Sequence, residues 1–149
     1  MQMNFTDMEY TNRRVTTRRE EFLKKMDEIL PWDEWCEEIK PFYPDGRRGR
    51  KPHPLPQMLR MFMIRSWFGL SDTQTENAVY DSYSMKNFLG LYFSTNEQVP
   101  DATTLYKFRR ILKAHGLDEK FIAAAHAAAK AEGYRFIKSS MTEIRKYKK

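Results

Sequence analysis

The chain has 149 residues, of which 41% are hydrophobic and 14% are aromatic, and its net charge is +6. This composition excludes a disordered chain and predicts one globular domain with a buried core. The lone Cys36 excludes an internal disulfide, and no apolar run approaches the ~18 residues of a membrane span. We therefore expect a cytoplasmic, nucleoid-associated protein without a membrane partner, and the basic charge favours a polyanionic partner.

The first predicted helix follows an N-terminal arm at 1–15. Thr17 and Glu20 have the spacing of a capping box, which marks the start of a helix. Apolar residues then recur at helical spacing up to Leu30, and Pro31 suits the first turn of a second helix. We expect the helical domain to span 16–133.

A basic connector at 41–54 interrupts the helices. Proline and glycine make it irregular, and we expect it to be extended and flexible. Its candidate DNA-binding residues are Arg47, Arg48, Arg50 and Lys51. Flexible Arg/Gly segments contact a minor groove or a phosphate backbone, but a basic run in a loop is also often only solvated.

The next helix starts near Pro56 and ends at Gly69, and its methionine-rich character favours core packing over a ligand groove. Three more helices are predicted at 71–80, 84–90 and 101–114. Ser71 and Ser84 are the expected caps of the first two. These proportions are those of a helix-turn-helix, with the last helix as the recognition helix. The predicted fold class is therefore all-α, a compact multi-helix domain that contains a helix-turn-helix-like trihelical unit.

Asp101 stands directly before the third of these helices and admits two interpretations. As a cap, it accepts hydrogen bonds from the free amides of the first turn and complements the helix dipole. As a catalytic carboxylate, it needs further acids that converge on a metal ion. Nothing in the sequence supports that convergence, so we assign Asp101 as a cap.

The outward face of the same helix is basic. It carries Thr103, Thr104, Tyr106, Lys107, Arg110 and Lys113, with Arg109 on its flank. Threonine hydroxyls and backbone amides at a helix N-terminus contact phosphates, and long basic side chains reach base edges. Spacing alone leaves the alternative open, namely a solvated basic face on an ordinary bundle.

The final helix is expected to be capped by Asp118 and closed by Gly133, with alanines that allow close packing. Residues 134–149 are expected to begin as a short strand and to end as a basic tail. We predict no catalytic residue, no metal site and no cofactor. His53, His115 and His126 lie far apart and have no cysteine or aspartate at ligand spacing.

A series of motifs runs in a specific order between about residues 9 and 134. These are PW, YP, GRRGRKP, WFGLSD, FLGL and PDATTLYKFR. In this order they resemble the N-terminal region of DDE transposases of bacterial insertion sequences, within the large "insertion sequence five" family. The resemblance implies a helical DNA-binding region that recognises the terminal inverted repeats of the element.

In full-length relatives of that family, a catalytic domain with three metal-binding acids follows this region. The first of those acids lies in an Asp-Ala-Thr tripeptide after the alanine-rich helix, whereas Asp101 precedes that helix. No residue of this chain matches the catalytic triad. The resemblance therefore implies a truncated or split transposase that is not an enzyme by itself, binds double-stranded DNA, and represses transposition by competition.

A second hypothesis belongs to another class. The domain would be a protein-interaction module that pairs with itself or with full-length transposase, and its DNA contact would be non-specific. The helix after Asp118 is the surface that we suspect for such pairing.

Overall fold

The computed structural model describes residues 17–47, 49–91, 98–136 and 144–146. These residues form helices α1 (Arg18–Ile29), α2 (Trp32–Ile39), α3 (Leu55–Phe68), α4 (Asp72–Asp81), α5 (Tyr83–Leu89), α6 (Ala102–Ala114) and α7 (Leu117–Ala131), a 3-10 turn (Lys40–Phe42) and strands β1 (Tyr134–Phe136) and β2 (Ile144–Lys146). The all-α fold class is confirmed. The predicted arm at 1–15 and Arg48 lie outside the described residues. None of the helices in these ranges combines the length and apolarity needed to cross a membrane.

Helix α3 lies at the centre of the domain and packs against α2, α4, α5 and α6. Most of the surface of α3 is apolar and buried, and its buried residues are Met58, Leu59, Met61, Phe62, Met63, Ile64, Trp67 and Phe68. Its methionines fill the core, which confirms the prediction of core packing. The helix ends at Gly69, whose φ of +62° lies in the left-handed region that favours glycine.

The predicted caps of α1 and α4 are confirmed. The Thr17 hydroxyl accepts a hydrogen bond of 3.1 Å from the Glu20 amide. At α4, Ser71 and Gln74 form a reciprocal capping box, in which each side chain accepts from the other residue's amide. Both helices therefore start where the sequence predicts, because each first turn has its free amides satisfied locally.

The predicted cap of α5 is wrong, because Ser82 and not Ser84 holds that position. Ser82 has extended backbone angles, and its hydroxyl accepts from the Met85 amide at 3.2 Å. Ser84 lies inside the first turn, where its hydroxyl lies 3.1 Å from that of Ser82. Cap position follows backbone conformation, and two serines two residues apart look alike in sequence.

The predicted cap of α7 is also wrong. Gly116, with φ of +68°, precedes the helix and has no side chain to cap it. Asp118 lies instead in the first turn, where its charge complements the helix dipole. On the buried face, Ala125 and Ala129 are fully enclosed, which lets α7 pack closely on α1 and α6.

The end of the described chain is a two-stranded antiparallel hairpin, in which Tyr134 pairs with Lys146. The predicted strand start is confirmed in β1. Within the predicted basic tail, residues 144–146 form a second strand, β2, which contacts α1. A strand of three residues depends on its partner, so its own sequence carries little signal.

Candidate nucleic-acid interface

Helix α6 starts at the cap that the sequence predicts. Asp101 has extended backbone angles, and its carboxylate accepts a hydrogen bond of 2.8 Å from the Thr104 amide. This backbone hydrogen bond is the main reason why the pKa of Asp101 lies below its usual range. The carboxylate is thus ionised and engaged at the first turn of the helix, which is the geometry of a cap.

A second carboxylate satisfies the same helix end. Glu76 of α4 accepts a hydrogen bond of 2.7 Å from the Ala102 amide. The amides of Ala102 and Thr104 therefore donate to carboxylates, and for Asp101 this is the bond that its assignment as a cap predicts. Two negative charges at the helix end repel an approaching phosphate, so these two amides are not phosphate donors.

An ion-pair cluster fixes α6 against α4. The Arg109 guanidinium donates to both carboxylate oxygens of Asp72, at 2.8 and 2.7 Å. Arg65 of α3 donates to the same carboxylate at 2.8 Å. The hydrogen bond from Arg109 is the largest cause of the lowered pKa of Asp72. Arg109 therefore holds helices together and is not available on the outward face.

The three helices predicted as a helix-turn-helix do pack as a unit. Helix α4 lies against both α5 and α6, and α3 supports all three from the core side. The segment 90–101 between α5 and α6 is longer than the roughly three- or four-residue turn of a helix-turn-helix. The orientation of α6 thus depends on its side-chain contacts with α4 rather than on a tight turn.

The outward face of α6 is accessible at most of the predicted positions. Thr103, Tyr106, Lys107, Arg110 and Lys113 are exposed, whereas Thr104 is half-buried and bonds to Asp101. The opposite face buries Leu105, Phe108 and Leu112.

Tyr106 and Arg110 form a pair on this face. The Arg110 guanidinium donates to the Tyr106 hydroxyl at 3.0 Å and lies 5.8 Å from the ring centroid. Tyr106 is 44% exposed. A planar cation held beside an aromatic ring presents donors in a defined orientation.

The connector forms a closed loop, which corrects the expectation of an extended segment. The Tyr43 hydroxyl donates to the His53 carbonyl across the base of the loop. Burial raises the pKa of Tyr43 to about 12, so this hydroxyl stays a hydrogen-bond donor even in mildly alkaline solution. Gly46 takes a φ of +79° near the tip, a conformation that favours glycine.

The connector and α6 meet in one cleft with a volume of about 530 Å³. Arg50 and Lys51 line it from the connector, and Thr104 and Lys107 line it from α6. Four of the predicted DNA-binding residues are therefore brought together. The others that the structure describes do not line this cleft: Thr103, Tyr106, Arg110 and Lys113 are elsewhere on α6, and Arg47 is engaged with Asp45 at 3.3 Å.

Tyr80 is a member of this cleft that sequence reasoning missed. Its ring lines the cleft next to the connector and is 49% exposed. An exposed aromatic residue on a predicted helix is the one signal that points to it. Of the histidines, His53 lines the cleft and His115 stacks on Phe42 with a centroid separation of 3.5 Å. Across the described part of the chain, no group of three or more His, Cys, Asp or Glu side chains has the arrangement to hold a metal ion.

A comparison with protein families assigns the sequence to a known family. A family model described as "Transposase domain (DUF772)" matches residues 11–110. The match extends from before α1 to Arg110 and so includes the connector and the first turns of α6. The chain belongs to this transposase domain family, and its role lies in transposition. No solved structure matches the chain.

Proposed function

We propose that this domain binds double-stranded DNA at the terminal inverted repeats of a transposable element. The observation that carries the proposal is the cleft, which places Arg50 and Lys51 of the connector beside Lys107 of α6. Two basic elements far apart in sequence thus form one surface. Lysine and arginine side chains on such a surface attract the phosphate backbone and release its counterions.

In this proposal, the outward face of α6 enters the major groove. Arg110 and Tyr106 reach base edges, and Lys107 and Lys113 contact the backbone on either side of the groove. The carboxylates of Asp101 and Glu76 make the N-terminal end of α6 negative, and this charge repels phosphates. The middle and the C-terminal half of α6 therefore approach the DNA. The Asp72–Arg109 ion pair holds the helix in place before DNA arrives, which lowers the entropic cost of binding.

The connector supplies contacts that do not depend on sequence. Arg50 and Lys51 lie at the edge of α6 and contact phosphates next to the groove. Arg47 contributes less, because it does not line the cleft. Sequence preference therefore comes from α6 and salt-dependent affinity comes from both elements.

We also propose that this domain does not cleave DNA by itself, since Asp101 acts as a helix cap. Produced as a separate chain, the domain competes with full-length transposase for the inverted repeats and represses transposition. The alternative, a protein-interaction module, predicts a dimer that persists without DNA and binds all duplexes equally weakly.

Arg110→Ala tests the proposal at its central contact. A bidentate arginine–guanine contact is worth about 1–3 kcal/mol of discrimination. We expect the variant to lose that preference for the inverted repeats flanking the gene over a scrambled duplex, as measured by fluorescence anisotropy. Arg18→Ala is the matched control, because it removes the same charge from an exposed position on α1. An unchanged preference in Arg110→Ala would favour the interaction module.

A further inference from the structure

We propose that the cleft between the connector and α6 binds one unpaired nucleotide of a DNA strand. The proposal rests on the proposed function and adds a second ligand to the same surface: a single-stranded nucleotide beside the duplex that α6 holds. It assigns a role to Tyr80, which the duplex contacts of α6 leave unexplained.

The shape of the cleft argues for a protruding ligand. Proteins read a duplex by inserting a convex element, such as a helix, into a groove. The cleft beside α6 is concave, with a volume of about 530 Å³, so in addition to the backbone contacts of its cations it can receive a group that leaves the duplex. This volume lies within the range of about 300–1,000 Å³ that small-molecule sites occupy. An unpaired nucleotide is a group of that size.

The walls of the cleft supply a stacking surface. Tyr80 is 49% exposed, although large aromatic side chains are mostly buried in this core. The Lys86 ammonium lies over one face of this ring, 5.8 Å from its centroid, so a base would stack on the other face with a positive charge behind the ring. Aromatic side chains next to basic groups are the recurring elements of sites for single-stranded nucleic acid, because every base has a face that can stack.

The charges of the cleft fit a nucleotide better than a phosphate alone. Arg50, Lys51 and Lys107 supply three cations around the site. Asp101 also lines it, and a carboxylate repels phosphate but accepts a hydrogen bond from the amino group of a base. Cations for the phosphate and an acceptor for the base edge thus occur in one site.

The test compares two duplexes of the same arbitrary sequence, one blunt and one with a short single-stranded overhang that carries 2-aminopurine. We expect the overhang duplex to bind roughly 5- to 150-fold more tightly, as stacking of one base provides. We also expect the 2-aminopurine fluorescence to change on binding. Tyr80→Leu should abolish the fluorescence change and bring the ratio of the two affinities to about one, whereas Tyr80→Phe should retain both effects.

Tyr106→Leu is the matched control, because Tyr106 is a similarly exposed tyrosine on α6 outside the cleft. It should weaken both duplexes alike and preserve their ratio. Equal affinity for the two duplexes, or an overhang preference that survives in Tyr80→Leu, would overturn the inference. These outcomes leave end recognition standing, because end recognition is measured by comparing the inverted repeat with a scrambled duplex.

Discussion

At the scale of single residues, Asp101 shows how one side chain can look catalytic and act structurally. Its carboxylate accepts from the Thr104 amide, and a second first-turn amide, that of Ala102, donates to Glu76. Each interaction satisfies a backbone donor that the helix leaves unpaired. The position of Asp101 is explained without any ligand.

Asp101→Ala should lower the free energy of unfolding by about 0.5–2 kcal/mol, the usual cost of removing a cap. Asp101→Asn should be nearly neutral, because asparagine caps helices as well as aspartate does. Urea unfolding of the three proteins measures both effects. Magnesium- or manganese-dependent DNA cleavage that disappears in Asp101→Asn would contradict the assignment, since a cap tolerates that change and a metal ligand does not.

The lowered pKa of Asp72 leads to a second prediction, which concerns how the stability of the fold depends on pH. Its folded pKa lies below the unfolded value of about 3.9, chiefly because Arg109 donates to it. A group with a depressed folded pKa stabilises the fold above the unfolded pKa and loses that contribution as the pH falls through the folded value. Asp72→Asn should therefore cost about 1–3 kcal/mol at neutral pH and progressively less below about pH 4.

Urea unfolding of wild type and Asp72→Asn over a series of pH values measures this difference. In an Arg109→Gln background, the same substitution should cost less, because the main cation is gone. A difference that stays constant down to about pH 2 would show that the ion pair does not stabilise the fold.

At the scale of elements, we expect α6 to supply the preference for a DNA sequence and the connector to add salt-dependent affinity for any duplex. Arg50→Gln with Lys51→Gln should lower the salt slope of DNA binding by about two units, since each phosphate that a cation neutralises adds about 0.9 to the slope. Arg47→Gln should change the slope less, because Arg47 does not line the cleft. Affinities measured at several salt concentrations give both slopes, and equal slopes in wild type and the double variant would exclude the connector from the interface.

The sequence predicts these elements better than their arrangement. Apolar spacing and the cap identify α6 within a residue at each end, because both signals are local. The Asp72–Arg109 pair and the meeting of the connector with α6 depend on tertiary packing, which no local pattern contains. For the same reason, the helical pattern puts Arg109 on the flank of the basic face and does not single out Tyr80.

At the scale of the whole molecule, α3 is the support on which the interface depends. Its buried side chains pack against α4 and α6, and Arg65 extends the ion-pair cluster from the same helix. The outward face of α6 is thus fixed by a rigid core, and sites on rigid elements hold their geometry. This arrangement makes the basic surface a property of the complete domain.

The central claim is tested most directly by the affinity of the purified chain for the inverted repeat and for a scrambled duplex, at several salt concentrations. We predict that the repeat binds at least about 10³-fold more tightly near physiological salt, as specific DNA-binding domains do. Equal affinities for both duplexes under those conditions would contradict end recognition and leave only the general attraction of a basic protein for a polyanion.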